Sequence, residues 1–291
     1  MTETLFWGTP IAWYLFLAGL SAGAYAAVAL IALKNSKDTQ RIQRVGRILA
    51  PVVLAVGLML LMTDAKAGML NPGRFFLLVS NLHSVMSWGV LILIIFGVIS
   101  VVSAVLSLMK WPVSKWLDVL GLVFAFLTAI YTGVLIGVVK TYPLWNTALL
   151  PVLFAVSAFS VGLAAVFLGG TFFAHKELEK AEGLKRMRTF LPIAEGILIV
   201  LLLLVTSSAN PAALESTQRL LSGDLSLAFW LGLVVIGLAL PLVLELITYR
   251  SKASSGPSSA ANIIGGAGAL IGGFMLRYLI IYAAVPLVIA L

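Results

Sequence analysis

The stretch FFLLVSNLHSVMSWG at 75–89 sets chemistry-capable side chains at the start of an apolar run. It holds His83, one of two histidines in the chain, with Asn81, Ser84, Ser87 and Trp88 around it. Such groups cost free energy in hydrocarbon unless they face protein, water or a ligand. Other apolar stretches bring polar groups to the same end: Tyr14 near the start of the first, Asp64 closing the second in LMTDAKAG, Tyr131 in AIYTGVLIG, and Trp145 with Asn146 ahead of the fifth. An imidazole and a phenol two turns inside a helix can donate hydrogen bonds, and an imidazole and a carboxylate can exchange protons. A quinone suits that set: its carbonyls need donors, its redox change needs a proton relay, and its isoprenoid tail can stay among apolar helices. Tyr14, His83, Ser84, Tyr131 and Trp145 are the candidate head-group contacts; Asp64 and His83 are candidate catalytic proton-exchanging groups.

Each also has a plainer reading. Trp13, Tyr14 and Trp145 suit an aromatic belt at the membrane interface. Asp64 suits a solvated helix end, and His83 a histidine bonded to a neighbouring carbonyl. Tyr131 lies deeper than a belt residue should.

A second set of ionisable residues falls deeper or toward the other end: Asp118, Glu195, Glu245 and Arg277. An unpaired charge inside the membrane costs at least about 2.5–3.5 kcal/mol, which makes such residues functional candidates. Glu195 is the third candidate catalytic group, and Asp64, Asp118, Glu195, Glu245 and Arg277 form a candidate proton path. Against this stand a structural ion pair, an arginine solvated by carbonyls, and, for Asp118 and Glu245, solvation at the helix ends. His175, beside Lys176, reads as a surface residue. A haem held by two histidines needs both at one depth; His83 and His175 sit at opposite ends of their helices, about 30 Å apart. The chain has no cysteine, hence no disulfide, no iron–sulfur cluster of its own and no thiolate metal site. No metal site is read from the sequence.

These residues need elements to hold them. With 61% hydrophobic and 10% charged residues, the chain departs from soluble composition and reads as an all-α polytopic membrane protein. Stretches long enough to span a bilayer lie near 10–33, 45–63, 82–109, 117–139, 147–174, 189–208, 226–249 and 263–290. Lys and Arg divide unevenly between the two sets of connections: fourteen follow the odd-numbered spans, four follow the even-numbered ones, and Arg277 lies inside the eighth. By the positive-inside rule the basic face is cytoplasmic and both termini are extracytoplasmic. The net charge of +8 is explained by those loops and does not point to nucleic acid. MTETLFWGTP lacks the basic n-region of a signal peptide. Residues 72–81 suggest a half-helix on the outer surface, 209–225 a short external loop, and SKASSGPSSAAN at 251–262 a flexible linker. LFLAGLSAGAYAAV at 15–28 and LFAVSAFSVGLAAV at 153–166 resemble one another. They hint at one integral membrane domain made of four-helix halves, about 10–140 and 147–290; chance similarity of small-residue helices is the alternative. Glycines in the first and eighth spans predict close helix packing.

Six segments in order, WGTPIAWYLFLAGLSAGAY, the TD turn at 63–64, SNLHSVMSWG, AIYTGVLIG, PLWNTALLPVLFAVSAFSVG and GGFMLRY, resemble the NrfD/PsrC family, over essentially the whole chain. That family comprises the membrane subunits of polysulfide reductase-type respiratory complexes. The resemblance implies eight helices in two four-helix bundles, without haem. It implies menaquinone oxidation or reduction near the outer face. It also implies electron exchange with a four-cluster ferredoxin-like iron–sulfur subunit, and beyond it a molybdopterin catalytic subunit or a multihaem cytochrome c. The family's quinone-contacting tyrosine matches Tyr131. Its helix-one histidine falls on Tyr14, which can still donate a hydrogen bond, and an asparagine one turn earlier falls on Ile11, which cannot. His83 is then the group that would supply an imidazole.

The expectation is a multi-pass subunit of a quinone-linked oxidoreductase in a bacterial or archaeal inner membrane, among membrane lipid, with coupling to proton translocation left open. The competing expectation is a secondary transporter or ion-conducting protein, whose site would lie nearer the midplane on broken helices.

Overall fold

The computed structural model describes residues 7–34, 37–64, 83–178, 181–250 and 259–287. Among them are eight helices long and apolar enough to cross a membrane: α1 (Thr9–Leu33), α2 (Gln40–Asp64), α3 (Val85–Leu108), α4 (Lys115–Gly137), α5 (Leu149–Phe173), α6 (Glu182–Ser207), α7 (Ala228–Ala239, π-helical, continued as an α-helix by Leu240–Arg250) and α8 (Ser259–Ala283). A 25-residue helix such as α1 is roughly 37 Å long, enough for a hydrocarbon core of about 30 Å. All described regular structure is helical.

Helix ends depart from the apolar stretches where polar residues stay helical. α2 and α6 begin at Gln40 and Glu182, ahead of 45 and 189, because basic side chains extend a helix into the interface at little cost. α8 begins at Ser259, so Asn262 belongs to a helix and not to a flexible linker. The 209–225 loop contains a helix, Pro211–Leu221; Asn210 Oδ1 caps it by accepting from the Ala213 amide at 2.9 Å, with Pro211 pre-set at the first position. After it, Arg219 binds Asp224 (Nη2–Oδ2 2.9 Å), and that hydrogen bond holds the Asp224 carboxyl below the usual carboxylate range. The segment 72–81 lies outside the described residues.

α1 is the most buried helix, with α2, α4, α5 and α8 around it. The α1–α5 contact is a backbone approach: a Cβ at Gly23 would strike Ala158 and the Gly162 backbone, and one at Gly162 would strike Gly23. This is the close packing that small residues permit. α3 lies against α2 and α4, and α7 against α6 and α8. The outward faces of α2, α3, α6 and α7 expose Val52, Ile94, Val200 and Val243, as lipid contact requires.

At the basic end, Glu177 of the short helix His175–Leu178 accepts the Arg41 and Ile42 amides at 2.7 and 3.2 Å, satisfying two orphan donors at the start of α2. His175 is exposed there. α2 and α6 share a further device. Pro51 and Pro192 each follow an arginine by four positions, Arg47 and Arg188, and a helix-interior proline frees the carbonyl four residues before it.

Candidate functional site

The site around Tyr14 and Tyr131 rests on α1, α3 and α4. Tyr14 and Tyr131 are electrostatic neighbours and both are buried, 1% and 6% exposed. Tyr131 lies against Gly89 of α3, where a Cβ would collide with its ring and hydroxyl. Glycine at 89 is therefore what lets the phenol reach the first turns of α3, just inside Ser84. Neither tyrosine hydroxyl has a hydrogen-bond partner among the described residues. Thr128, one turn before Tyr131 on the same face of α4, is fully buried, and its Oγ1 also lacks a partner among them. Buried polar atoms are nearly always paired, so these three hydroxyls are candidate donors.

The other outer candidates take different positions. Ser84 is the N-cap of α3; its carbonyl accepts from the amides of Ser87 and Trp88, while its side chain makes no capping bond. His83 is exposed just outside that turn. α2 ends at Asp64, whose side chain, like Asn81, lies outside the described residues. Trp145 overturns the belt reading. It is 1% exposed, donates from Nε1 to the Ile280 carbonyl at 2.7 Å, and stacks on Trp7 and Tyr142. It ties the start of α5 to α8, and its one polar hydrogen is already committed. Trp13 is 41% exposed and lies against Phe274 of α8, ring centroids 4.2 Å apart.

Deeper in the bundle, Arg277 is fully buried and solvated by protein. Nε donates to the Leu15 carbonyl (3.2 Å), Nη1 to the Gly273 carbonyl (2.7 Å) and Ser157 Oγ (3.0 Å), and Nη2 to the Phe154 carbonyl (3.5 Å). Glu195, also buried, interacts with Ser157, Ser160 and Arg277. Ser160 lines a cavity of about 20 Å³ that Arg188 and Glu245 also line. Arg188 pairs with Glu245 and donates to Asn262 Oδ1 at 2.8 Å. Glu195, Arg277 and Glu245 therefore belong to one chain of polar groups through α5–α8.

Asp118 does not join them. It accepts from Arg47 Nη2 through both carboxylate oxygens, each at 2.9 Å, beside Tyr25, whose hydroxyl bonds Ser103 at 2.9 Å. Solvation at the helix ends is overturned for both carboxylates, since Asp118 and Glu245 are each held in ion pairs with largely buried arginines. No group of three His, Cys, Asp or Glu residues suited to a metal occurs among the described residues.

The family model described as polysulphide reductase, NrfD, matches residues 1–289. The chain belongs to the NrfD family. One of the polysulfide reductase chains of Wolinella succinogenes is 30% identical over 308 residues, covering 97% of this protein and 95% of the relative. Protein NrfD of Escherichia coli is 29% identical with the same coverage. The Hdr-like menaquinol oxidoreductase integral membrane subunit of Archaeoglobus fulgidus is 25% identical over 251 residues, 82% of this protein and 62% of the relative. Family and helices together make this a multi-pass integral membrane protein.

In this NrfD protein the sequence reading missed Thr128, Ser157, Ser160, Arg188 and Asn262. Hydroxyls in apolar helices carry little signal, because most bond their own backbone, as Thr132 does to Ala129 at 2.7 Å. Arg188 had a signal: its four-residue spacing to Pro192 repeats that of Arg47 to Pro51.

Proposed function

We propose that this NrfD-family protein is the quinone-reactive membrane subunit of a respiratory oxidoreductase complex in the inner membrane of a bacterium or archaeon. The observation that carries the reading is the buried Tyr14–Tyr131 pair, with Thr128 beneath it, whose hydroxyls lack partners among the described residues. The printed names of the relatives, polysulfide reductase and menaquinol oxidoreductase, support menaquinone as the substrate. Menaquinol supplies two electrons and two protons. Tyr14 and Tyr131 would hold the head group by donating their hydroxyl hydrogens, and His83, Ser84 and Asp64 would carry protons between the site and the outer water. Electrons pass to or from a cluster-bearing ferredoxin-like subunit docked on the outer face, and beyond it to a molybdopterin subunit or a multihaem cytochrome c. The domain is one unit of two four-helix halves, α1–α4 and α5–α8, joined along α1 and α5, with both termini outside.

A proton route to the inner side runs through the second half. Glu195 can pass a proton by way of Ser160 to the small cavity, which has room for about one water, and on to Glu245. At the other end Ser157 and Arg277 connect Glu195 to the Leu15 carbonyl, adjacent in sequence to Tyr14. Asp118 lies off this route.

Tyr131→Phe removes one hydroxyl and keeps the ring against Gly89. The expected result is at least tenfold slower quinol-linked electron transfer in membranes, with the complex assembled in normal amount. Unchanged turnover overturns the assignment.

A further inference from the structure

The basic end of the first half holds a cavity that the quinone reading does not use. It measures about 470 Å³ and lies between α2, the α3–α4 connection and the start of α4. Its charged lining is Arg44, Arg47, Lys110, Lys115 and Asp118, four cations and one carboxylate. A cavity with three surplus positive charges concentrates anions. Arg47 is 6% exposed, and its hydrogen bonds run from Nη2 to Asp118; Nε has no partner among the described residues. A buried guanidinium nitrogen without a partner calls for an acceptor that the described residues do not supply. Arg44 is already anchored, its Nε donating to the Ser107 carbonyl at 3.1 Å, which leaves its outer nitrogens for another acceptor.

The backbone contributes as well. Lys110 adopts a left-handed conformation, φ 59°, at the end of α3, where the Trp111 amide reaches back to the Leu106 carbonyl at 2.9 Å. Glycine is the usual residue there; lysine is used despite the steric cost, and its ammonium joins the cavity lining. α4 starts at Lys115 beneath the same space, and the free amides and dipole of a helix start favour a phosphate.

The depth indicates where the anion comes from. Trp111 and Trp116 are 58% and 78% exposed beside the cavity, with Leu108 and Met109 also exposed, as suits residues at the headgroup level of a bilayer. We propose that this cavity binds a phosphate group, carried by the headgroup of an anionic membrane lipid. The guanidiniums of Arg44 and Arg47 would take its oxygens, and Lys110 and Lys115 would balance its charge.

The test uses the purified, delipidated full-length protein, with dioleoyl-phosphatidylglycerol, dioleoyl-phosphatidylcholine and inorganic phosphate as separate probes. Binding is read by native mass spectrometry and by the rise in unfolding temperature. Phosphatidylglycerol is expected to bind and stabilise, and phosphatidylcholine to do so more weakly. The double variant Arg44→Gln/Lys110→Gln should weaken phosphatidylglycerol binding roughly 30-fold, at about 1 kcal/mol per basic residue, without lowering the unfolding temperature of the lipid-free protein. Arg47→Gln/Asp118→Asn, which leaves a neutral pair in place of the ion pair, should weaken it too. Phosphatidylglycerol binding that survives both variants overturns the site. Equal binding of both lipids overturns the role of net charge. Protection by inorganic phosphate that matches the lipid's and is lost in the same variants overturns the lipid source.

Discussion

The two sets of four helices bury similar polar side chains and satisfy them differently. In α5–α8, Arg188 pairs with Glu245, donates to Asn262 and lies 4.4 Å over the Phe167 ring, and Arg277 finds three carbonyls and a hydroxyl. In α1–α4 are the two buried side-chain atoms without a partner among the described residues, Arg47 Nε and Thr128 Oγ1, and the Tyr14 and Tyr131 hydroxyls there have no hydrogen-bond partner among them either. The ground plan is the same. Arg-x-x-x-Pro occurs at 47–51 and 188–192, and the arginine of each reaches the start of the fourth helix of its set: Asp118 in DVLG, Asn262 in NIIG. The second set pairs its buried polar groups, with one carbonyl taken from Leu15 of α1. The first set leaves donors without a partner among the described residues.

Breaking the completed side should have the largest effect. Arg188→Gln leaves Glu245 without the cation that hydrogen-bonds it, with only Lys185 nearby, in a site nearly closed to water. Removing one partner of a buried pair costs about 3–5 kcal/mol, and the loss should appear in equilibrium unfolding of the protein in mixed micelles. Arg188→Gln/Glu245→Gln should recover most of it. A single variant as stable as the double would mean that Glu245 is hydrated or already neutral, and the contrast between the halves would fail at that point.

The corresponding change on the open side should cost less. Arg47→Gln strands Asp118, but the adjoining cavity of about 470 Å³ lets water reach the carboxylate. The expected loss is about 1–3 kcal/mol, the range for a buried polar group left short of partners, and it should shrink when Asp118→Asn is added. If Arg47→Gln matches Arg188→Gln in cost, the cavity does not relieve Asp118 and the two ends are equally closed.

The sequence made the helices legible because 20-residue apolar runs have few alternatives in a bilayer. The crossing of α1 and α5 was legible in outline from their small residues. Tyr131 stood out because a phenol two turns inside a span is unusual, and Asp118, Glu195, Glu245 and Arg277 because charge there is expensive. What the sequence hid was pairing. Asp118 and Glu245 are near helix ends and looked solvated; only the fold brings Arg47 of α2 to Asp118 of α4 and Arg188 of α6 to Glu245 of α7. Trp145 looked like an interface residue by depth, but its burial depends on the Ile280 carbonyl 135 positions away. The π-helical turns of α7 follow an apolar run that reads equally well as an ordinary helix.

The smallest effect on stability, and the one that best separates an open donor from a defect, is expected at Thr128. Thr128→Val keeps the shape and removes the hydroxyl. A buried hydroxyl without a partner costs free energy, so the substitution should leave the fold unchanged or more stable by up to about 1 kcal/mol, whereas removing a partnered hydroxyl would cost about that much. Quinol turnover should move the other way, falling severalfold through a higher KM if Oγ1 donates to the bound head group. A loss of stability above about 1 kcal/mol would show that the hydroxyl has a partner within the bundle. A stable variant with unchanged KM would make the threonine a packing residue and confine the ligand site to Tyr14 and Tyr131.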